Sequence, residues 1–327
     1  MHQNIWNSTL ITLSITPRDI RYRLFRLRRL IFIATLIPIL GMVLSILITR
    51  EASWFSNLPV FLGVAFIWFG IVATHSVIFP FDWLEQLSAA IIIAIVVFAG
   101  SYLEKLVYLA PETRWGDAGV WLTFIVIFGS IFAFLALVSL LATQLPKRDM
   151  GVMRYKARHR AKVAMGDLMQ AILLKENTQT SFCSTGPKRE DGIFTVTYHY
   201  IMPNSRTYEP EPSDFEMYAE IQSKTETSQI TQYYMLKDDN EAGVSLCEEY
   251  FSEEGAYTTY VIQEQHTLFT LYTVIPFWLC DSYADHFTGA VDFVQGTKPR
   301  ALHLLPKITA LSILARWFAR QNFDEHP

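Results

Sequence analysis

Three ionisable side chains near the ends of two neighbouring apolar runs are the first candidates for chemistry in this chain. His75 lies inside the second run, while Asp82 and Glu85 lie where the chain turns into the third. An imidazole can bind and release a proton near neutral pH, and an ionisable group inside a membrane is by default a functional candidate. The other runs place no acid at that depth, which favours a simpler role for His75 in hydrogen bonding between helices. An enzyme that acts at this membrane edge is the alternative.

A second group, Asp281, Asp285 and His286, has the residue types of a divalent metal site. No second cluster completes a coordination shell, so a solvated helix face is the favoured interpretation. The sequence also contains no phosphate-binding loop, nucleophile elbow, zinc-protease motif or C-x-x-C pair. We therefore expect no catalytic residue, no bound metal and no cofactor, and the chain is predicted not to be an enzyme.

Four long apolar runs are the elements that would position these side chains. They cover residues 30–49, 58–79, 84–103 and 120–144. A hydrocarbon core of about 30 Å needs roughly 20 apolar residues in a helix, and the helices of a soluble bundle would carry a polar face. The sequence therefore predicts a membrane α-helical domain, a four-span bundle, over residues 30–145.

Basic residues flank this block on both sides and indicate its orientation. Lys and Arg close to the ends of spans remain on the cytoplasmic side. We expect these residues to contact the membrane surface: Arg18, Arg21, Arg23, Arg26, Arg28, Arg29, Lys147, Arg148, Arg154, Lys156 and Arg158. Both termini are predicted to be cytoplasmic, in a multi-pass protein of the cell (inner) membrane.

Small residues recur inside the runs at spacings that suit close helix packing. Gly63 and Gly70 stand seven residues apart, and Gly129, Ala133 and Ala136 lie along one stripe. Together with His75 they are predicted to pack helices, either inside one compact bundle or between the subunits of a homo-oligomer.

A soluble part is predicted on each side of the spans. Residues 1–29 are expected to form a strand and a basic amphipathic helix, and residues 146–175 a basic juxtamembrane helix. Residues 176–327 are predicted to form an acidic cytoplasmic α+β domain with an antiparallel β meander and C-terminal helices. Within it, residues 214–224 fit a short capped helix but also permit a strand. The last helix is expected to close the domain rather than lie on the membrane.

The charge of the chain is distributed unevenly. The net charge is −4, yet residues 163–327 carry 11 Lys and Arg against 23 Asp and Glu, a difference of −12. Such an acidic domain would repel nucleic acid, so we expect no nucleic-acid partner. The three cysteines form no motif and are expected to be free thiols.

These observations favour a polytopic membrane protein of non-enzymatic type that anchors a cytoplasmic protein-interaction or sensory domain. Its expected partners are membrane lipid and a protein bound at the cytoplasmic domain. The alternative is an oligomeric membrane effector or channel gated by its cytoplasmic domain.

Overall fold

A computed structural model of the chain describes residues 15–49, 57–108, 115–179, 183–203, 210–237, 240–267 and 269–324. It shows four long apolar helices followed by a seven-stranded antiparallel sheet and C-terminal helices, which confirms part of the predicted layout. The strand predicted near the N-terminus lies outside the described residues, apart from Ile15.

Five helices make up the N-terminal half of the described structure. They are α1 (Pro17–Arg26), α2 (Arg28–Thr49), α3 (Leu58–Ile78), α4 (Trp83–Tyr108) and α5 (Trp115–Gln144). The four helices α2 to α5 each contain a stretch that is long and apolar enough to cross a membrane. Many of their apolar side chains are exposed, including Phe66 on α3 and Phe132 on α5, with 76% and 70% of their surface accessible.

A proline inside α2 explains one contact between the apolar helices. Pro38 has no backbone N–H, so the carbonyl of Ala34, four residues earlier, loses its partner within the helix. The indole Nε1 of Trp68 on α3 donates a hydrogen bond to that carbonyl at 3.0 Å. The contact satisfies a buried acceptor and holds α3 against α2.

Helices α2 and α4 approach most closely at Gly41. A Cβ atom built on Gly41 would lie 2.9 Å from the backbone Cα and O of Ala94. Only a residue without a side chain fits between backbones at this distance. The predicted packing residues did not include Gly41, but they included Gly63, whose built Cβ has no neighbour within 4 Å.

Gly41→Ala should therefore push α2 and α4 apart and lower stability by about 1–3 kcal/mol, the usual range for overpacking. The measurement is thermal unfolding of the purified chain in detergent. Gly63→Ala is the matched control, because its new methyl group enters open space, and it should not lower the midpoint. Equal midpoints for the two variants would contradict the close approach.

Seven strands form one antiparallel sheet. They are β1 (Met153–Ala161), β2 (Cys183–Thr185), β3 (Ile193–Pro203), β4 (Pro210–Lys224), β5 (Ser228–Lys237), β6 (Asn240–Glu254) and β7 (Tyr257–His266). Their order is β1-β7-β6-β5-β4-β3-β2, so the first strand pairs with the last and all other neighbours are consecutive in the chain. The predicted meander is present, and it extends further towards the N-terminus than expected.

Four further helices accompany the sheet: α6 (Met165–Ile172), α7 (Leu271–Cys280), α8 (Ser282–Val294) and α9 (Ala310–Asp324). Helices α6 and α8 cover the inner face of β1, β7 and β6. Phe287 and Val291 of α8 pack there with Leu168 of α6 against Tyr260 and Phe251 of the sheet. A second, smaller core around Phe194 and Val196 lies at the β2 side.

Several predicted elements are wrong. Residues 146–175 are not one juxtamembrane helix, because β1 and α6 occupy this stretch. In β1, basic residues alternate with Tyr155, Ala157 and His159, a period of two that puts the apolar side chains on the inner face and the charges outside. Residues 214–224 lie in β4, which is the strand alternative.

The C-terminal helices follow the sheet directly. Pro276 lies inside α7. Asp281 adopts a left-handed conformation (φ 53°, ψ 60°) and separates α7 from α8. Helix α9 leaves one apolar face open, with Ile313, Leu314 and Trp317 about half exposed.

One apolar core joins the apolar helices to the sheet domain. Leu30 and Ala34 of α2 and Trp83 of α4 belong to the same buried cluster as Leu279 of α7 and Leu302, which lies in a single 3₁₀ turn after α8. The two halves of the described structure therefore pack directly against each other through this core.

Candidate functional site

Helix α1 is the element around which the polar part of this connection is built. Thr16 caps it: the Thr16 hydroxyl accepts the backbone N–H of Asp19, and the Asp19 carboxylate accepts the N–H of Thr16. Pro17 occupies the first helical position, where a missing N–H does no harm. The helix buries Tyr22 and two arginines against the rest of the protein. We call the polar contacts around α1 the junction.

Asp285 of α8 is the central acceptor of the junction. Its carboxylate is 3% exposed and accepts the Tyr22 hydroxyl at 2.6 Å, the backbone N–H groups of Leu302 and His303 at 2.8 and 2.9 Å, and His303 Nδ1 at 2.8 Å. Burial favours a raised pKa, but hydrogen bonds from His303 and Tyr22 outweigh it, so the pKa of Asp285 lies below its usual range. Asp285 is thus held as a buried carboxylate that ties α1, α8 and the following turn together.

Arg26 makes the second set of junction contacts. Its guanidinium donates to the Ala284 carbonyl and the Thr288 hydroxyl, both at 2.9 Å, and to the Tyr22 hydroxyl at 3.1 Å. It also lies 3.5 Å from the carboxylate of Asp281. A buried guanidinium needs such a set of acceptors, because an unpaired buried charge is strongly unfavourable.

Asp292 lies two helical turns after Asp285 on α8. It binds the segment that follows the helix. It is fully buried and receives a two-pronged contact from Arg300, whose Nη2 lies 2.6 Å from Oδ1 and whose Nε lies 3.0 Å from Oδ2. The Arg300 backbone N–H also donates to Asp292 at 3.0 Å. Arg18 of α1 reaches the same carboxylate at 3.5 Å from a more exposed position.

Arg23 connects α1 to the apolar helices. It is 7% exposed, and its guanidinium donates to the carbonyl of Val77 in the last turn of α3. The last carbonyls of a helix have no partner within it and carry a partial negative charge, which a cation offsets.

The three side chains first considered for chemistry meet the last helix. His75 Nε2 lies 2.9 Å from Oδ2 of the buried Asp82, and the same oxygen accepts the backbone N–H of Ala310, the first residue of α9, at 2.9 Å. Glu85 is half-buried on the next turn of α4. Asp82 therefore joins the end of α3 to the first residue of α9.

The predicted membrane-surface residues divide into three groups. Arg23 and Arg26 are buried inside the protein, so their predicted contact with lipid is corrected. Arg28 lies 4.0 Å from Asp281, and Arg29 donates to the carbonyl of Trp278 at 2.6 Å. The remaining residues are exposed, and contact with lipid stays a prediction for them: Arg18, Arg21, Lys147, Arg148, Arg154, Lys156 and Arg158.

The predicted packing residues mostly face outward. Built Cβ atoms on Gly63, Gly70 and Gly129 have no neighbour within 4 Å, and Ala133 and Ala136 are exposed. These five residues therefore do not pack helices together within one chain. Of the predicted set, only His75 contacts another element described above. Contact between copies of the chain stays a prediction.

Buried carboxylates also occur on the inner face of the sheet. Glu249 on β6 is 6% exposed and accepts the Tyr260 hydroxyl at 2.8 Å. Burial raises its pKa to about 7, the Tyr260 hydrogen bond opposes that shift, and the charge of Glu264 adds to it. Glu264 on β7 accepts the Ser245 hydroxyl, and burial raises its pKa as well. Carboxyl groups that titrate near neutral pH are candidates for function.

No group of three His, Cys, Asp or Glu side chains among the described residues could hold a metal ion. Asp281 and Asp285, considered above as possible ligands, instead receive side chains from α1. The favoured solvated helix face is also wrong for Asp285, which is buried. Sequence reasoning missed Tyr22, Asp292 and Arg300; the spacing of Tyr22 and Arg26, four residues apart on one helix face, was the available signal.

Comparison with known proteins gives little further information. No family model and no curated protein sequence matches the chain. A solved structure, the di-domain ARO/CYC BexL from the BE-7585A biosynthetic pathway, matches 62% of this chain at 13% identity with a TM-score of 0.23. The match covers 59% of that protein, so the chain spans less than two thirds of its length.

This finding goes against the expectation that the chain is not an enzyme, because the matched protein is an ARO/CYC of a biosynthetic pathway. We therefore withdraw that expectation. The likeness carries no argument for an activity in its place, since a TM-score of 0.23 does not establish a shared fold.

Proposed function

We propose that the chain is a polytopic membrane protein that holds a cytoplasmic sensory or protein-interaction domain in a fixed orientation against its spans. The sheet domain, with its excess of acidic residues, would meet the partner or signal. The helices α2 to α5 would anchor it and respond to its state.

The junction is the observation that carries this proposal. Tyr22 and Arg26 precede the first apolar helix, yet their partners Asp285 and Thr288 follow the whole sheet, more than 260 positions later. A flexible tether would need none of these buried contacts. Since buried polar groups must be satisfied together, a change at α8 is transmitted to α1 and so to the start of α2.

Arg26→Ala tests whether the junction couples the two halves. It removes the guanidinium that donates to the carbonyl of Ala284 and the hydroxyl of Thr288, so α1 should separate from α8. We expect amide hydrogen exchange in α1 and α8 to rise at least tenfold in the detergent-solubilised chain, while exchange in β3 to β5 stays unchanged. Arg21→Ala is the matched control, because Arg21 is an exposed arginine on the same helix.

Unchanged exchange in the Arg26 variant would contradict the coupling. The docking role has its own test: crosslinking in intact cells, followed by purification in mild detergent. A partner joined to the sheet domain is expected, and recovery of the chain alone would count against the proposal. A reporter fused after Pro327 that is active only outside the cell would remove it.

The alternative, an oligomeric effector or channel, is supported by the outward-facing small residues. Gly63 and Gly70 on α3 and Gly129 on α5 present backbone to the outside, where a second copy of a helix could approach closely. Ion leakage from liposomes that contain the purified chain would separate this proposal from an anchoring role.

A further inference from the structure

Helix α9 begins at the point where two apolar helices meet. The N–H of Ala310 donates to Asp82, which lies between the end of α3 and the start of α4. Thr309 caps the helix: its hydroxyl accepts the N–H of Ser312 at 3.1 Å, and the Ser312 hydroxyl accepts the N–H of Thr309 at 3.0 Å. The start of α9 is therefore held at the level where the chain would leave and re-enter a bilayer.

Beyond its first turn, α9 presents an apolar face outward. Ile313, Leu314 and Trp317 are 47%, 50% and 54% exposed. At 100° per residue these three positions fall within one arc of about 100°. Arg316 borders this arc, so the helix has the apolar and basic sides of a segment that lies at a membrane surface.

A second helix has exposed aromatic side chains at the same end of the spans. Tyr272 and Trp278 of α7 are 40% and 52% exposed. Tyr272 packs edge-to-face on Trp83 at the start of α4, with ring centroids 5.6 Å apart, and Trp278 lies 5.1 Å beneath the guanidinium of Arg29 at the start of α2. Trp and Tyr concentrate at the level of lipid headgroups, where one end of the ring is apolar and the other wet.

We propose that α9 lies on the bilayer, with Ile313, Leu314 and Trp317 inserted at the headgroup–acyl boundary beside the aromatic side chains of α7. The proposed occupant is a lipid surface, because α9 begins at Asp82, where α3 ends and α4 starts, and both of these helices are long and apolar enough to cross a membrane. The sheet domain would then be held on the membrane by α9 at one side and by the junction at the other.

Spin labels on the full chain in nanodiscs of phosphatidylcholine and phosphatidylglycerol test this proposal. Leu314→Cys carries the label on the proposed lipid face, and Tyr250→Cys is the matched control at a partly exposed position of β6. Molecular oxygen dissolves in the acyl region, while a nickel chelate stays in water. Collisions with oxygen should exceed those with nickel several-fold at position 314, and the order should reverse at position 250.

Each possible result at position 314 supports or overturns the placement of α9 on the bilayer. Strong collisions with nickel at position 314 would show α9 in water and overturn the proposal. Exclusion of both reagents would show that protein covers the face, a second copy or another part of the chain, and would also overturn it. The inference rests on the spans crossing the bilayer, so Phe66→Cys on α3 is labelled in parallel; loss of oxygen preference there would refute the spanning arrangement itself.

Discussion

Asp285→Ala should destabilise the chain by about 3–5 kcal/mol, the range seen when one partner of a buried charged network is removed. The substitution leaves the Tyr22 hydroxyl, two backbone N–H groups and the His303 ring without their acceptor in a buried site. Urea unfolding of the detergent-solubilised chain measures the change. Asp214→Ala is the control, because Asp214 makes a similar contact with His199 at 2.9 Å but is exposed; such pairs contribute at most about 1 kcal/mol.

The contribution of Asp285 also depends on pH. Its pKa is lowered in the folded chain, so the stabilisation is fully present above the unfolded pKa of about 4 and is lost as pH falls through the lower folded pKa. The stability difference between the natural chain and Asp285→Ala should therefore shrink only below about pH 4. A difference that remained constant down to pH 2 would show that the carboxylate charge does not matter.

Glu249→Gln should increase the free energy of unfolding at neutral pH, whereas Asp285→Ala should decrease it. The pKa of Glu249 is raised to about 7, so folding is opposed progressively as pH rises from the unfolded value of about 4.3 to 7. A shift of this size corresponds to about 4 kcal/mol of destabilisation at pH 8. The amide carries no charge and can still accept the Tyr260 hydroxyl, so the variant should be more stable than the natural chain at pH 8.

The measurement is the unfolding midpoint of both chains between pH 4 and pH 8. Stability of the natural chain should decline through this window, and that of Glu249→Gln should decline less steeply, because the raised pKa of Glu264 still opposes folding. Glu248→Gln removes a carboxylate from the opposite face of the same strand and should retain the decline. Parallel profiles for Glu249→Gln and the natural chain would contradict a buried carboxyl that ionises near pH 7.

Hydropathy alone was sufficient to predict the apolar helices. Runs such as 30–49 contain no charge, and no other element type accommodates that many apolar residues without a polar face. The meander was also predictable from local sequence. Its β-prone stretches are separated by short segments of charged residues and glycine, such as Glu253 and Gly255. Local pattern decides these elements.

The candidate site depended on contacts that no local pattern contains. Arg26 stands among six basic residues before the first span, and the positive-inside rule treats all six alike. Only the fold selects Arg23 and Arg26 for burial and leaves Arg21 exposed. Likewise, Asp285 becomes a buried acceptor because the chain after α8 turns back and delivers His303 to it.

Strand β1 was missed although its signal was present. Four basic residues at positions 154, 156, 158 and 160 alternate with Tyr155, Ala157 and His159, which is a strand period. The basic composition directed attention to the membrane surface instead. Its partner, β7, lies about 100 residues later, and a strand at a sheet edge becomes recognisable only with that pairing.

The order of synthesis gives the junction a further consequence. Helix α1 is synthesised before the sheet and α8, so Tyr22 and Arg26 can meet their acceptors on α8 only after the sheet strands have been made. A chain that lacked α8 would leave the Arg26 guanidinium and the Tyr22 phenol without these buried acceptors.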